Sequence, residues 1–231
     1  MSKHETEMTL PQDVLAKIPQ TEICSSALNL AWKTVSRPIF NHSVRVYLAA
    51  RWLAEKENSE WAKPENLPLL FVASICHDLG TSDDFNGPQR FELEGADAAE
   101  HHCQVHGLSH EDGRKVWTAI AIHTSPGIAE RIDPFSRLVR FGVMMDFSLP
   151  ARQSMGANDL FAEIEVMLPR LDIERVLADA VVNQADQDLL RQRPDNKNWF
   201  STHKFPVASW PGILLRARLQ NPDHVGRNLA F

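Results

Sequence analysis

The chain has 231 residues, 43% of them hydrophobic, enough for one domain with a sizeable core. Its formal net charge is −6 and its 24 basic residues are scattered, which argues against a nucleic-acid or anionic-membrane partner. Cys24, Cys76 and Cys103 lack a CxxC spacing and read as free thiols, the polar Met1–Glu7 does not read as a signal peptide, and no apolar run approaches the ~20 residues of a membrane span, so a cytoplasmic setting is expected.

In chain order the sequence predicts helices almost throughout, and the expected class is all-α: a single-domain helical bundle around one central buried helix. Residues 1–10 are expected to be disordered. Pro11 opens a short helix, Gln12–Ile18, closed by Pro19; Thr21 caps a second, Ser25–Thr34; and Pro38 begins a third that runs to about Lys56. Pro64 and Pro68 frame the start of the central stretch, Leu69–Gly80. A loop of turn formers follows at Thr81–Pro88. Helical spacing then covers Phe91–His106 and Glu111–His123, with Gly107 between them and a break at Ser125–Gly127. Three more helices are expected: one from Pro134 to about Leu149, then Asp159–Leu168 with Asn158 as N-cap, and Asp172–Gln192. The tail, Arg193–Phe231, is rich in Pro, Trp and Asn and is expected to be partly irregular, so that the domain runs over 11–231 with its C-terminal helices and tail at 158–231.

The central stretch carries the chemistry. Its run, LLFVASIC, is too apolar for a surface helix, and it ends in His77 and Asp78, with Gly80 read as the C-cap. At a helix C-terminus the unpaired carbonyls favour a cation. A buried carboxylate beside an imidazole needs a positive partner as well, since leaving it unpaired costs roughly 3–5 kcal/mol. An arginine or a divalent metal would serve. Three other helices direct a comparable group inward. His42 shares a face with Ile39, Val46, Ala49 and Leu53; His123 stands over Ile120, Ala119 and Val116; and Asp146 shares its face with Val143, Gly142, Val139 and Leu138. Each taken alone could have a private partner in the core. One metal would satisfy the group together, and imidazoles with carboxylates suit Zn²⁺ or, as the second choice, Fe²⁺.

The order His42, His77-Asp78, Asp146 in a helical chain resembles the HD-domain superfamily of metal-dependent hydrolases. The longer strings FNHSVR (40–45), HDLGT (77–81), RFELEGA (90–96), AIAIHTSP (119–126) and GVMMD (142–146) resemble its fungal cyanamide hydratase branch over roughly residues 20–220. The resemblance implies a zinc site held by His42, His77, Asp78 and Asp146 within the span 42–146. It also implies a cytoplasmic hydro-lyase that hydrates the nitrile carbon of cyanamide to urea, with His123 and Thr124 facing the small-molecule substrate. In chemical terms, a metal with a position left for water would acidify that water. Asp78 would orient or deprotonate it, and His123 would donate a hydrogen bond to the nitrile nitrogen or shuttle the proton.

The alternative is an HD phosphohydrolase acting on a nucleotide or another small phosphate ester. No lysine follows the His-Asp pair, where Leu-Gly-Thr-Ser-Asp-Asp stands instead, though Arg45 and Arg90 remain as cationic donors. A non-catalytic protein stapled by a metal is the third reading. The Thr81–Pro88 loop, which could roof a small cavity, speaks against it. His101 and His102 are left out of the ligand set. Glu92 and Glu94 are read as capping the turn that follows the loop, with lining of the site as the alternative for either, and Trp117, Trp199 and Trp210 as core or subunit contacts. A homo-oligomer is expected.

Overall fold

A computed structural model describes residues 8–191 and 203–231 of the chain, with the backbone alone over 186–191. The expectation for 1–7, the last residue of the helix expected to reach Gln192, and the tail up to residue 202, including Trp199, lie outside the described residues. All regular structure among the described residues is helical. In order come α1 (Gln12–Leu15), α2 (Glu22–Thr34), α3 (Arg37–Lys56), α4 (Leu67–Cys76), α5 (Phe91–Val105) and α6 (His110–Ile122). They are followed by α7 (Ala129–Ile132), α8 (Pro134–Phe147), α9 (Leu149–Met155), α10 (Asn158–Met167), α11 (Ile173–Arg191) and α12 (Trp210–Gln220).

α4 is the central element. Every residue in it except Pro68 is buried, as a helix without a polar face must be, and it packs on α2, α3, α5, α6 and α8. α3 is buried almost all round from Ile39 to Ala50, between α4 and α8. Their apolar side chains form the main core. A smaller cluster, including Ala178, Val181, Phe205 and Leu214, seats α12 on α11.

Several boundaries differ from the sequence reading. α2 starts directly after Thr21 rather than at Ser25. α4 stops at Cys76, so His77 is its C-cap and Gly80 is not. Gly80 instead allows a close approach: a Cβ there would meet the Phe91 carbonyl at 2.0 Å. That contact presses the start of α5 against the end of α4. The Thr81–Pro88 loop contains two 3-10 turns, Leu79–Thr81 overlapping its start and Asp83–Phe85 inside it. The helix from Pro134 ends at Phe147. Leu149 then opens a separate one, capped by Ser148, whose hydroxyl accepts from the Ala151 amide. The tail is more regular than its composition suggests. Ser209 caps α12 by accepting from the Gly212 amide, and Pro211 sits in the first turn, where its missing N–H costs nothing.

Candidate metal centre

Two helices end in the same local device. His77 caps α4, and its Nδ1 donates to the Ser74 carbonyl at 2.7 Å; His123 caps α6, and its Nδ1 donates to the Ile120 carbonyl at 2.7 Å. Each ring thereby satisfies one of the carbonyls that a helix C-terminus leaves unpaired, and because a carbonyl only accepts, each Nε2 is left as a bare lone pair. The third imidazole reaches the same tautomer by another route. His42, near the start of α3, donates Nδ1 to Asp146 Oδ2 at 2.7 Å.

The result is a converging set of acceptors. His42 Nε2 and His77 Nε2 stand 3.1 Å apart. Asp78 Oδ2 lies 3.6 Å from the first and 3.3 Å from the second, and no hydrogen-bond donor reaches it. All these groups are buried. Two facing lone pairs and an unpartnered carboxylate oxygen repel one another unless a cation lies among them. His42, His77 and Asp78 are also the residues whose ligand atoms lie within 4.8 Å of one another. The donor set fits a divalent metal.

The electrostatics agree. Burial would raise the Asp78 carboxyl, but His77, His42 and His123 around it hold it well below the carboxylate range. Burial pushes His42 down. His77 is the exception: its own burial lowers it, but the Asp78 carboxylate and the Ser74 carbonyl raise it overall, so without a metal a proton on its Nε2 is the alternative counter-charge to Asp78, and a metal would replace that proton. His123 is pushed down to about 3, by burial and then by His77, so it is neutral at physiological pH; its Nε2 faces the other oxygen, Asp78 Oδ1, at 3.7 Å.

Asp146, expected among the ligands, is not brought into this cluster. Its Oδ1 and Oδ2 accept from Arg45 Nε and Nη2, both at 2.7 Å, and Oδ2 also accepts from His42. Arg170 adds a contact of 3.3 Å. The cause is Arg45, three residues beyond His42 on the same helical face and fully buried, which offers its fork to the carboxylate. Gly142, one turn before Asp146, permits this geometry: a Cβ there would meet the Val46 carbonyl at 2.7 Å, so α3 and α8 run close enough for Asp146 to reach both residues. Asp146 therefore holds His42 from behind and fixes its tautomer. Such a partner orients a ligand and tunes its basicity.

The structure separates the two readings left open for Glu92 and Glu94. Glu94 does cap the turn before α5, its Oε1 accepting from the Gln89 amide. Glu92 instead turns inward and is fully buried: Oε1 accepts the Thr124 hydroxyl at 2.5 Å, while Oε2 has no hydrogen-bond partner and lies 4.0 Å from Arg90 Nε. Burial, above all, pushes its carboxyl up. Neither His101, which is exposed, nor His102 lines the cavity over the cluster; His102 packs on His106 and donates to the Ile23 carbonyl.

A cavity of about 450 Å³ opens over the cluster, lined at its inner end by His42, His77, Asp78, His123 and Thr124. Its other walls come from α8, α11, α12 and the last residues, among them Val143, Phe147, Trp210 and Phe231. The Thr81–Pro88 loop, expected to roof the site, takes no part in this lining; Thr81 donates to the Asp78 carbonyl and faces a different cavity. Trp210, read as core or a subunit contact, is a wall of the site.

The HD domain family model matches residues 39–180, a span that holds every one of the cluster residues. The chain belongs to the HD domain family. HD-domain proteins are in general metal-dependent hydrolases, so membership implies an enzyme of that broad kind and agrees with a divalent metal at His42, His77 and Asp78. No curated protein is matched to this HD-domain chain. Among the described residues no helix is long and apolar enough to cross a membrane.

Proposed function

We propose that this HD-domain protein is a metal-dependent hydratase that adds water to the nitrile carbon of cyanamide, giving urea. The observation that carries the reading is the composition of the inner pocket: three bare imidazole nitrogens around one carboxylate, with the nearby arginines turned away. Arg45 is spent on Asp146 and the Leu168 carbonyl, and Arg90 donates to the Ala121 carbonyl beside Glu92; neither lines the cavity. Arg140 does line it, but its Nε is bound to Glu130 and its Nη1 donates to the His123 carbonyl. Arg227 stands exposed at the cavity wall, away from the buried cluster. A phosphate ester would find few donors at the reacting end, whereas a small uncharged molecule needs none.

In this reading His42, His77 and Asp78 hold the ion, Zn²⁺ or Fe²⁺ by the nitrogen and oxygen donor set, and Asp146 keeps His42 in the ligating tautomer. A divalent ion there supplies acidification of water, from a pKa near 16 toward about 7. Asp78 Oδ1 and His123 Nε2 face each other at 3.7 Å and would take up the water between them. His123 receives the proton: its Nδ1 is committed to Ile120 and its Nε2 is unprotonated, so it cannot begin as the donor to the nitrile nitrogen. It then delivers that proton to the nitrogen. A C–O bond forms as one C–N π bond breaks; the hydroxyl hydrogen then passes to nitrogen as the second C–N π bond gives way to the C=O π bond, so both hydrogens of the water end on nitrogen. Thr124, anchored by Glu92 and lining the inner cavity, would hold the substrate.

The test is turnover of the Zn²⁺- or Fe²⁺-loaded protein on cyanamide and on a nucleoside monophosphate. Urea without phosphate is expected; phosphate without urea would overturn the hydratase, and neither product would leave the metal a purely structural role. If His123→Ala retains full turnover with metal bound, the proton role of His123 is wrong.

A further inference from the structure

The cavity is far too large for cyanamide. Its 450 Å³ falls among the sites of about 300–1,000 Å³ that enclose drug-sized ligands. Cyanamide is comparable to a couple of water molecules, each with a share of about 30 Å³ in the liquid. The excess space is mainly apolar. Val143, Met144, Leu177, Trp210 and Ile213 line it, with Ser148 and the exposed Arg227 as polar groups in its walls, and the His–Asp cluster sits at the inner end.

The aromatic side chains of these walls, with the buried Phe91 behind them, are arranged in a closed circuit. His42 packs on Phe147 with ring centroids 4.6 Å apart, Phe147 meets Phe231 edge-on at 4.9 Å, and Phe231 meets Trp210 at 5.6 Å. Trp210 continues to Phe91 at 6.0 Å, and Phe91 returns to His123 at 5.7 Å. His77 closes the circuit, with centroids 4.9 Å from His123 and 5.0 Å from His42. One arc presents imidazole nitrogens and the other presents ring edges and faces. Edge-to-face partners at these spacings favour another ring placed among them. A small polar substrate would leave those walls in contact with water, which they gain by expelling.

We propose that the substrate is a nitrile bearing an apolar, ring-sized substituent, such as an N-aryl or N-benzyl cyanamide, with its nitrile carbon at the His–Asp cluster and its substituent between Phe147, Trp210 and Phe231. The inference rests on the hydratase reading and narrows it. The overall step is the same: R–C≡N and water give R–C(=O)–NH₂, with both C–N π bonds broken, a C–O σ bond and a C=O π bond formed, both hydrogens on nitrogen, and no change of oxidation state that calls for another reactant.

The experiment compares kcat/KM of the Zn²⁺- or Fe²⁺-loaded protein for cyanamide, dimethylcyanamide and benzylcyanamide by direct detection of the ureas. A single methylene in a fitted apolar pocket changes kcat/KM by about 10-fold or more. Benzylcyanamide should therefore exceed cyanamide by at least about 10-fold, with dimethylcyanamide between them. A smaller ratio, or a preference for cyanamide, overturns the substituent and leaves the hydratase standing. No turnover of any nitrile overturns both. Trp210→Ala and Phe231→Ala each should lower the benzylcyanamide-to-cyanamide ratio; a ratio unmoved in both folded variants overturns the placement between these rings.

Discussion

Two buried carboxylates flank the ring of His42. Asp146 lies on its Nδ1 side and Asp78 on its Nε2 side, both sheltered from solvent and both held far below the ordinary carboxylate range. Asp146 is saturated: a bidentate arginine, an imidazole N–H and a second arginine satisfy it. Asp78 has three imidazoles around it, none able to donate through Nε2 in the neutral form, and an oxygen without a hydrogen bond. The protein compensates one anion from its own chain and leaves the other to be compensated from outside. Burial of a carboxylate marks neither a site nor a scaffold; the identity of its counter-charge does.

The largest effect should come from breaking the internal compensation. Arg45→Ala strands Asp146 and should lower the unfolding free energy by about 3–5 kcal/mol, read by urea denaturation of the metal-free protein. Asp78→Asn removes an anion compensated within the chain only by imidazoles, and it should cost the metal-free protein clearly less stability than Arg45→Ala. If the two variants lose equal stability, the distinction between the carboxylates collapses.

Supplying the external charge should then stabilise only through Asp78. At a free Zn²⁺ concentration of 100 times Kd, binding contributes about 2.7 kcal/mol, and a chelator should remove it. The parent should show this gain in thermal unfolding and Asp78→Asn should not. Asp146→Asn, acting only through the tautomer of His42, should bind the metal but about 10–100-fold more weakly, as measured by competition with a chromophoric chelator. Complete loss of binding in that variant would place Asp146 on the metal itself.

Much of this contrast was readable from spacing. The period of 3.6 residues turns His42 inward, and the same period turns Arg45 inward three residues later; the signal for the partner of Asp146 lay beside the signal for the ligand. The apolar run of α4 announced the central helix, and the family strings announced His123 and Thr124. What stayed hidden depends on contacts distant in sequence. Gly80 looks like a helix stop, because only the fold brings the Phe91 carbonyl against it. Glu92 sits in a first turn, where acidic residues are common, and only the packing of α5 on the end of α4 carries it to Thr124. The cavity walls join α8 to α12, residues too far apart for any local pattern to pair.

Glu92 offers the smallest and most discriminating test, since it is a third buried carboxyl whose compensation is only the Thr124 hydroxyl and Arg90 at 4.0 Å. Its folded pKa is raised by burial, with the nearby Asp78 adding to the rise, whereas that of Asp146 is depressed. The two signs make opposite demands of pH. Asp146 contributes stability above the unfolded value of about 3.9 and loses it as pH falls toward the folded one. Glu92 contributes only while protonated, fully below about 4.3, and that contribution is lost as pH rises through the folded value. Glu92→Gln keeps the shape without the ionisation. Its unfolding free energy should therefore match the parent near pH 4 and climb above it as pH rises, by up to about 1.4 kcal/mol for each unit separating the two pKa values. A gap that instead widens toward acid would mean that Glu92 is charged and paired in the folded protein, as Asp146 is.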